Sequence, residues 1–222
     1  YYADEHGSPG ADITFFEYPG ATPGRAGAGM ISAITHRVGS QAALDFWEWR
    51  LADEGVATDR YEDHLGFADP EGMRHELGVF DRPDPPLAAR SREVPEQYAL
   101  QGFEGVRAAV ADPAQSEALL KSVLGFAGLP DHAWEARGSQ RGGRIQFEIT
   151  TERGVPGAGT VHHIAWSVPR DEMEGWRAQV IEAGGRPTPV IDRFYFQSVY
   201  FREPSGILYE LATLDGAGFD VD

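Results

Sequence analysis

A histidine and a glutamate near the C-terminal end of the chain have the residue types and the spacing of a metal site. His163 lies in the segment TVHHIAWSV at 160–168, and Glu210 lies in REPSGILYELAT at 202–213. Glu210 follows His163 by 47 positions, which is enough for a helix and two further strands. An imidazole and a carboxylate on two strands of one sheet would supply part of a site for a divalent metal ion.

An internal repeat indicates how these two segments meet. FADPEGMRHELGV at 67–79 aligns without a gap with FREPSGILYELAT at 201–213. A β-forming segment precedes each copy, MISAITHRV at 30–38 and TVHHIAWSV at 160–168, and each of these is followed by a helix-like stretch. The order strand, helix and three strands therefore recurs as a repeat of roughly 50 residues.

The repeat divides the chain into modules. We expect only the closing hairpin of a first module, at 1–20, and a third module that is more divergent than the others. The Pro-rich, charged segment 86–98 is predicted to link an N-terminal domain, 1–85, to a C-terminal domain, 99–222. The remaining modules are module two at 27–81, module three at 99–151 and module four at 158–215.

Composition excludes several classes of protein. The 222 residues, 41% of them hydrophobic, can bury the core of one or two domains. A formal net charge of −16 would repel nucleic acid and anionic membranes, so we expect neither as a partner. The chain has no apolar segment long enough to cross a membrane and no secretory signal at its start, which favours a cytoplasmic location. Without cysteine, any metal must be bound by histidine and carboxylate.

These features resemble the vicinal-oxygen-chelate superfamily, which includes glyoxalases, extradiol dioxygenases and bleomycin-resistance proteins. HHIAW at 162–166, the DPEG and EPSG turns and YEL at 209–211 carry the resemblance. It implies an α+β fold in which tandem βαβββ modules form cupped mixed sheets with the helices outside, here with an incomplete first module. DEHGSPGADITFFEYP, GAGTVHHIAW and DRFYFQSVYFREPSGILYELAT are similar to the four-module dioxygenases that cleave the ring of hydroquinones.

This resemblance implies an Fe(II)-dependent extradiol-type dioxygenase that opens the ring of a hydroquinone or a related aromatic diol. O2 would be the co-substrate, and Mn(II) is an alternative metal. His163 and Glu210 would be metal ligands, and His162, Tyr200 and Arg193 would assist with acid–base chemistry. A facial triad needs two histidines and one carboxylate. The resemblance places the missing histidine in the first strand of module one, which we expect in an N-terminal segment that this sequence lacks.

Each candidate also has a purely structural interpretation. Glu76 occupies the place of Glu210 in a module that has Ala33 where His163 stands, so glutamate at this position does not by itself indicate a metal. His36, which aligns with Trp166, and His75 are interpreted as structural histidines.

The aromatic and cationic candidates also have structural interpretations. Tyr200 could be a core aromatic residue and Arg193 a surface charge. They are seven positions apart, so a turn or bulge must lie between them if both face one side. Phe194, Phe196 and Trp166 would supply apolar walls for a ring, although aromatic residues in strands more often belong to a core.

Two other functions remain open. A glyoxalase-like isomerase or lyase would use a metal on a four-ligand set, and it would be favoured if Glu76 faced the same metal as Glu210. A metal-free binding protein of the resistance type would be favoured if His163 lined no cavity and no metal copurified with the protein. We expect a small aromatic substrate and a homo-oligomer, a dimer or larger, because the module edges are exposed. The sequence leaves open the ring substituent, the metal and the oligomeric state.

Overall fold

The strand–helix–three-strand order occurs three times in the structure, a computed structural model that describes residues 1–139 and 141–213. The strands of modules two and three are β1 (Met30–Val38), β2 (Thr58–Arg60), β3 (His64–Ala68), β4 (Arg74–Val79), β5 (Phe103–Val110), β6 (Ala127–Leu129), β7 (Ala133–Arg137) and β8 (Gly142–Ile149). Those of module four are β9 (Ile164–Val168), β10 (Ile191–Asp192), β11 (Gln197–Arg202) and β12 (Leu208–Thr213). The helices are α1 (Gln41–Asp53), α2 (Ala114–Ala118) and α3 (Met173–Glu182).

Each module forms a four-stranded unit in which its first and last strands lie side by side and run parallel. β1 pairs with β4, β5 with β8 and β9 with β12 in this way. The order in module four is β10-β11-β12-β9, and the order β2-β3-β4-β1 in module two is the same. This α+β architecture of mixed sheets confirms the predicted fold class.

Modules two and three join into one eight-stranded sheet, with the order β2-β3-β4-β1-β5-β8-β7-β6. Their first strands, β1 and β5, pair antiparallel at the centre of that sheet. The predicted linker at 86–98 therefore connects two halves of a single sheet. The division into an N-terminal and a C-terminal domain at this point stays a prediction, but it would separate strands that are hydrogen-bonded to each other.

The aligned hairpin turns have the same geometry in both modules, which explains why they align without a gap. Gly72 and Gly206 have φ values of 92° and 101°, in the region that glycine adopts without strain. The backbone amide of each glycine donates to the carbonyl of Asp69 or Glu203, three positions earlier. The carboxylate of that acidic residue accepts a further backbone amide inside the turn, from Met73 or from Ile207.

Two apolar clusters stabilise the fold. One lies between α1 and the strands β3 and β4, around Leu44, Leu65 and Leu77. The other joins modules three and four, because Leu120, Phe147, Met173 and other residues of both modules pack into one cluster. No helix in the described part of the chain is long and apolar enough to span a membrane.

The segment before the predicted linker is fixed to the large sheet by buried charges. Asp84 accepts hydrogen bonds of 2.7 Å from Arg37 on β1 and of 2.7 Å from Arg137 on β7. These two guanidinium groups hold the pKa of Asp84 far below its usual value, although burial acts in the opposite direction. Arg37 also donates to Glu104 on β5 at 2.7 Å.

Several predicted boundaries differ from the structure. The strand expected at 160–168 begins only at Ile164, so His162 and His163 lie just before it. The third-module helix has only one α-helical stretch, α2, which continues as a π-helical turn over Leu119–Val123. In the segment 1–20, where a hairpin is expected, Tyr2 and Ile13 form an isolated antiparallel bridge. The last two residues assigned to module four lie outside the described residues.

Two histidines are buried on the helix-covered face of the large sheet. His36 Nε2 lies 3.1 Å from His75 Nδ1, and the rings stack at a centroid distance of 5.3 Å. Burial lowers the pKa of His36 to about 3, and the neighbouring His75 adds to this effect. Burial also lowers the pKa of His75, although Asp69 opposes it. Both rings are therefore neutral near pH 7, which supports the structural interpretation of the pair.

We expect this histidine pair to make stability depend on pH. Both pKa values are lower in the folded protein than in the unfolded chain, so below about pH 6.5 the unfolded chain takes up the protons first. The free energy of unfolding should fall as the pH decreases, by up to about 1.4 kcal/mol per pH unit for His36, and His75 should act in the same direction. Urea unfolding of the wild type and of His36→Leu between pH 7 and pH 5 measures this slope. The slope should decrease in His36→Leu but not in the exposed control His6→Asn, and an unchanged slope in His36→Leu would contradict the assignment.

Candidate metal site

Glu210 lies on β12, which is flanked by β11 and β9 in the four-stranded sheet. The register places Tyr200 of β11 opposite Glu210 on one side and Ala165 of β9 opposite it on the other. Only 4% of Glu210 is exposed, so its carboxylate is costly to bury unless it has partners. The pairing of β12 with both neighbours fixes the position from which this side chain extends.

His163 reaches the carboxylate of Glu210 from the end of the neighbouring strand. Its Nε2 lies 2.8 Å from Glu210 Oε2. Two groups that bind one ion at roughly 2.1 Å each and at a right angle lie about 3 Å apart. The distance between these two atoms is therefore compatible with a shared metal ion, and the structure brings together the two residues predicted as ligands.

Tyr200 holds the other oxygen of the same carboxylate. Its hydroxyl donates to Glu210 Oε1 at 2.6 Å, and its ring lies edge-on to the ring of His163 at 5.5 Å. Burial raises the pKa of Tyr200, and the hydrogen bond to Glu210 raises it further. The phenol is therefore protonated at neutral pH and remains a hydrogen-bond donor, which fixes the orientation of the Glu210 carboxylate.

Arg193 contacts the ring of Tyr200. Its guanidinium carbon is 5.6 Å from the centre of the Tyr200 ring, within the range of a cation–π contact. Its Nε donates to Ser198 Oγ at 3.4 Å. The turn expected between Arg193 and Tyr200 is present between β10 and β11, where Phe194 has a positive φ of 75°.

His162 is exposed and contacts the inferred ligand directly. Its Nδ1 lies 2.9 Å from His163 Nδ1, with the two rings nearly perpendicular. Partial burial lowers the pKa of His162, and the nearby His163 and Arg202 lower it further. A neutral imidazole beside the site can accept or donate a proton near pH 7.

Two of the aromatic residues expected to form apolar walls of the site, Trp166 and Phe194, lie elsewhere. Trp166 packs edge-on against Phe126 and Tyr209, in the core shared by modules three and four. Phe194 is 87% exposed on its turn. Strand alternation explains the first result, since Trp166 pairs with Leu211, one position after the Ala165–Glu210 pair, and therefore faces the opposite side of the sheet from Glu210.

One neighbour of the site was not predicted from the sequence. Ser198 is fully buried and is the partner of Arg193. Its spacing of two from Tyr200 on β11 was the available signal, because residues i and i+2 of a strand share a face.

The described residues bring together the two predicted ligands, one fewer than a facial triad needs. Within 1–139 and 141–213, no three His, Cys, Asp or Glu side chains form a group that could hold a metal ion. Glu76 is the counterpart of Glu210 in module two. It lies in the large sheet and accepts hydrogen bonds of 2.9 Å from Arg107 Nε.

Comparison with known sequences identifies relatives along the whole chain. MhqA of Bacillus subtilis (strain 168), named as a candidate ring-cleaving dioxygenase, is 32% identical over 240 residues, which cover 100% of this chain and 76% of the relative. MhqO of the same organism, with the same description, is 34% identical and covers 100% and 73%. A chlorohydroquinone/hydroquinone 1,2-dioxygenase of Sphingobium indicum is 25% identical and covers 99% and 74%. No protein-family model matches the chain.

Solved structures agree with these sequence relatives. A crystal structure of a candidate dioxygenase from Bacillus subtilis superimposes with a TM-score of 0.87 at 32% identity, covering 99% of this chain and 74% of that one. Glyoxalase I from Zea mays superimposes with a TM-score of 0.55 at 16% identity, covering 87% and 69%. The second likeness concerns the fold alone.

We expect His163 and Glu210 to bind a divalent metal ion together. Anaerobic titration of the metal-free protein with Mn(II) or Co(II), followed by calorimetry, measures the affinity. His163→Ala and Glu210→Gln should each weaken binding by more than the roughly 10–100-fold expected for a residue that only supports a ligand. The exposed control His132→Asn should bind as the wild type does. Equal affinity in all four proteins would refute the site.

Tyr200→Phe tests the supporting hydrogen bond separately. The substitution keeps the ring and removes only the hydroxyl that donates to Glu210. Metal affinity should fall by roughly 10–100-fold, because the carboxylate loses the group that orients it. The same titration compares this variant with the exposed control Tyr61→Phe. If Tyr200→Phe binds the metal as tightly as that control, the hydroxyl does not orient Glu210.

Proposed function

Because the chain belongs to the ring-cleaving dioxygenases of the vicinal-oxygen-chelate superfamily, we propose that it uses Fe(II) and O2 to open the ring of a hydroquinone. A related aromatic diol is the alternative substrate, and Mn(II) is the alternative metal. The observation that carries the proposal is the distance of 2.8 Å between His163 Nε2 and Glu210 Oε2. The hydroquinone substrate is supported by the relative from Sphingobium indicum, whose name specifies that substrate.

Fe(II) would be held by His163 and Glu210, with the remaining positions open to other ligands. When bound, the metal supplies the redox chemistry that joins an aromatic diol to O2. Imidazole and carboxylate are the donor types of non-haem iron sites, so the two residues fit this metal.

The third ligand is proposed to come from a first-module strand next to β9. β1 and β5, which hold the place of β9 in modules two and three, pair with each other along their free edges. Within the described residues, β9 pairs with β12 alone. A strand added to the free edge of β9 would reproduce the pairing of β1 with β5 and would bring a further histidine close to His163.

The other predicted residues have distinct roles in this proposal. Tyr200 keeps one oxygen of Glu210 occupied and leaves Oε2 directed toward the metal position. His162, exposed and neutral, would accept the proton that a substrate hydroxyl loses and would return it later in the reaction. Arg193 would position Tyr200 through its contact with the ring and would favour the anionic form of a substrate bound nearby.

The structure does not meet the condition that would favour the isomerase alternative. A four-ligand set required Glu76 and Glu210 to face one metal, whereas Glu76 lies in the other sheet and is paired with Arg107. We further propose a cytoplasmic, homo-oligomeric enzyme that acts on a small aromatic substrate. The acidic composition and the outer edge strands β2, β6 and β10 support this part of the proposal.

Oxygen uptake tests the function directly. The full-length gene product, reconstituted anaerobically with Fe(II), should consume O2 with methylhydroquinone and chlorohydroquinone, and faster than with catechol. His163→Ala and Glu210→Ala should abolish uptake, because each removes a proposed ligand, while His132→Asn should retain it. Absence of uptake in a preparation with iron demonstrably bound would overturn the ring-cleaving proposal and leave the metal site intact.

A further inference from the structure

The large sheet has a cavity of its own at the place that corresponds to the metal site. This cavity has a volume of about 160 Å³ and opens between the strands of modules two and three. Its charged and polar lining is dominated by Thr35, Glu76, Glu104, Arg107, Arg144 and Gln146, and Phe80 adds an aromatic surface.

The strand registers show that the two places are equivalent. Glu210 pairs with Ala165 between the last and first strands of module four. In the large sheet, Glu76 pairs with Thr35 in module two, and Gln146 pairs with Arg107 in module three. All of these residues except Ala165 and Glu210 line the cavity. The large sheet therefore has two copies of the position that Glu210 occupies, and both of them face one cavity.

Arg107 provides a positive charge at one of these copies. Its Nε donates to both carboxylate oxygens of Glu76 at 2.9 Å, and Thr35 donates to the same carboxylate at 3.3 Å. Glu76 thus has a cationic partner that belongs to the protein. The charge of Glu76 is balanced by Arg107 and does not require a metal ion. A ligand in this cavity must therefore be recognised by groups other than Glu76.

Arg144 is the group best placed to recognise an anion. Its Nε is buried 3.4 Å from the Glu104 carboxylate and 3.9 Å from that of Glu135, without a hydrogen-bond partner among the described residues, so the exposed part of the side chain would meet a ligand. That carboxylate already accepts from Arg37 at 2.7 Å and from Arg82 at 2.6 Å. Arg144 therefore shares an acid whose charge is largely compensated by two other guanidinium groups.

The ion-pair network that contains Arg144 has one more positive than negative charge, although the formal net charge of the chain is −16. Within the described chain, four guanidinium groups share three carboxylates in this network. The lining of the cavity itself is balanced, with Arg107 and Arg144 against Glu76 and Glu104, so an anion would be selected by the planar guanidinium group of Arg144, which suits a carboxylate in particular. The four arginines are Arg37, Arg82, Arg137 and Arg144, and the three acids are Asp84, Glu104 and Glu135.

The size of the cavity limits the ligand. A protein cavity of roughly 150 Å³ can hold a benzene ring. A dianion is disfavoured, because Glu76 and Glu104 also line the cavity. We propose that the cup formed by modules two and three is a second ligand site, which binds a small organic monocarboxylate of about single-ring size through Arg144, beside the Glu76–Arg107 pair.

Benzoate is the probe, with benzamide and benzylamine as the matched neutral and cationic compounds. Titration into metal-free protein, followed by the Nε–Hε resonances of the arginines in ¹H–¹⁵N NMR spectra, measures affinity and locates the site. Benzoate should bind with millimolar or better affinity and shift the resonances of Arg107 and Arg144, and benzamide and benzylamine should bind at least tenfold more weakly. Absence of benzoate binding, or equal binding of benzamide, would overturn the proposal.

Three variants separate this site from the metal site and from a general effect of charge. Arg144→Gln, whose side chain is 31% exposed in the wild type, should remain folded and lose roughly tenfold or more in affinity for benzoate. Arg92→Gln removes the same charge from an exposed position and should bind as the wild type does. The double variant His163→Ala, Glu210→Gln should also retain binding. Unchanged affinity in Arg144→Gln, or loss of binding in the double variant, would show that benzoate does not occupy this cup.

Discussion

The parallel pairing of the first strand with the last strand is the constraint on which both cups depend. It sets one register in all three described modules, so that Thr35 faces Glu76, Arg107 faces Gln146 and Ala165 faces Glu210. A single position on each last strand is thereby directed to the same place in its cup. The backbone is the same in the three modules, so the chemistry of each cup is determined by the side chain at that position and by its neighbours.

Local turn chemistry explains why the sequence predicted much of the fold. The Pro-x-Gly turns of the two aligned hairpins fix backbone geometry within a few residues, and the structure shows the same hydrogen bonds in both. The proximity of His163 and Glu210 followed from two strands of one module. Alternation also placed His36 and His75 away from Glu76, where they are buried against each other.

Other features depend on contacts between distant parts of the chain and could not be predicted in this way. The antiparallel pairing of β1 with β5 joins two modules, and nothing in either strand specifies its partner. The pairing of Glu76 with Arg107 follows from that junction, because the two residues belong to different modules. The local sequence predicts that Trp166 lies in a β-strand. Only the tertiary structure shows that its side chain packs in the core shared by modules three and four.

Asp84 has a consequence for how such a protein can change during evolution. Its carboxylate is 1% exposed and is bound by arginines from both halves of the large sheet. Removing either half would take away one of the two guanidinium groups that compensate this buried carboxylate, which is destabilising. Modules two and three should therefore fold as one cooperative unit and be inherited together. Duplication could copy this pair, but recombination within the connecting segment would separate charges that stabilise each other.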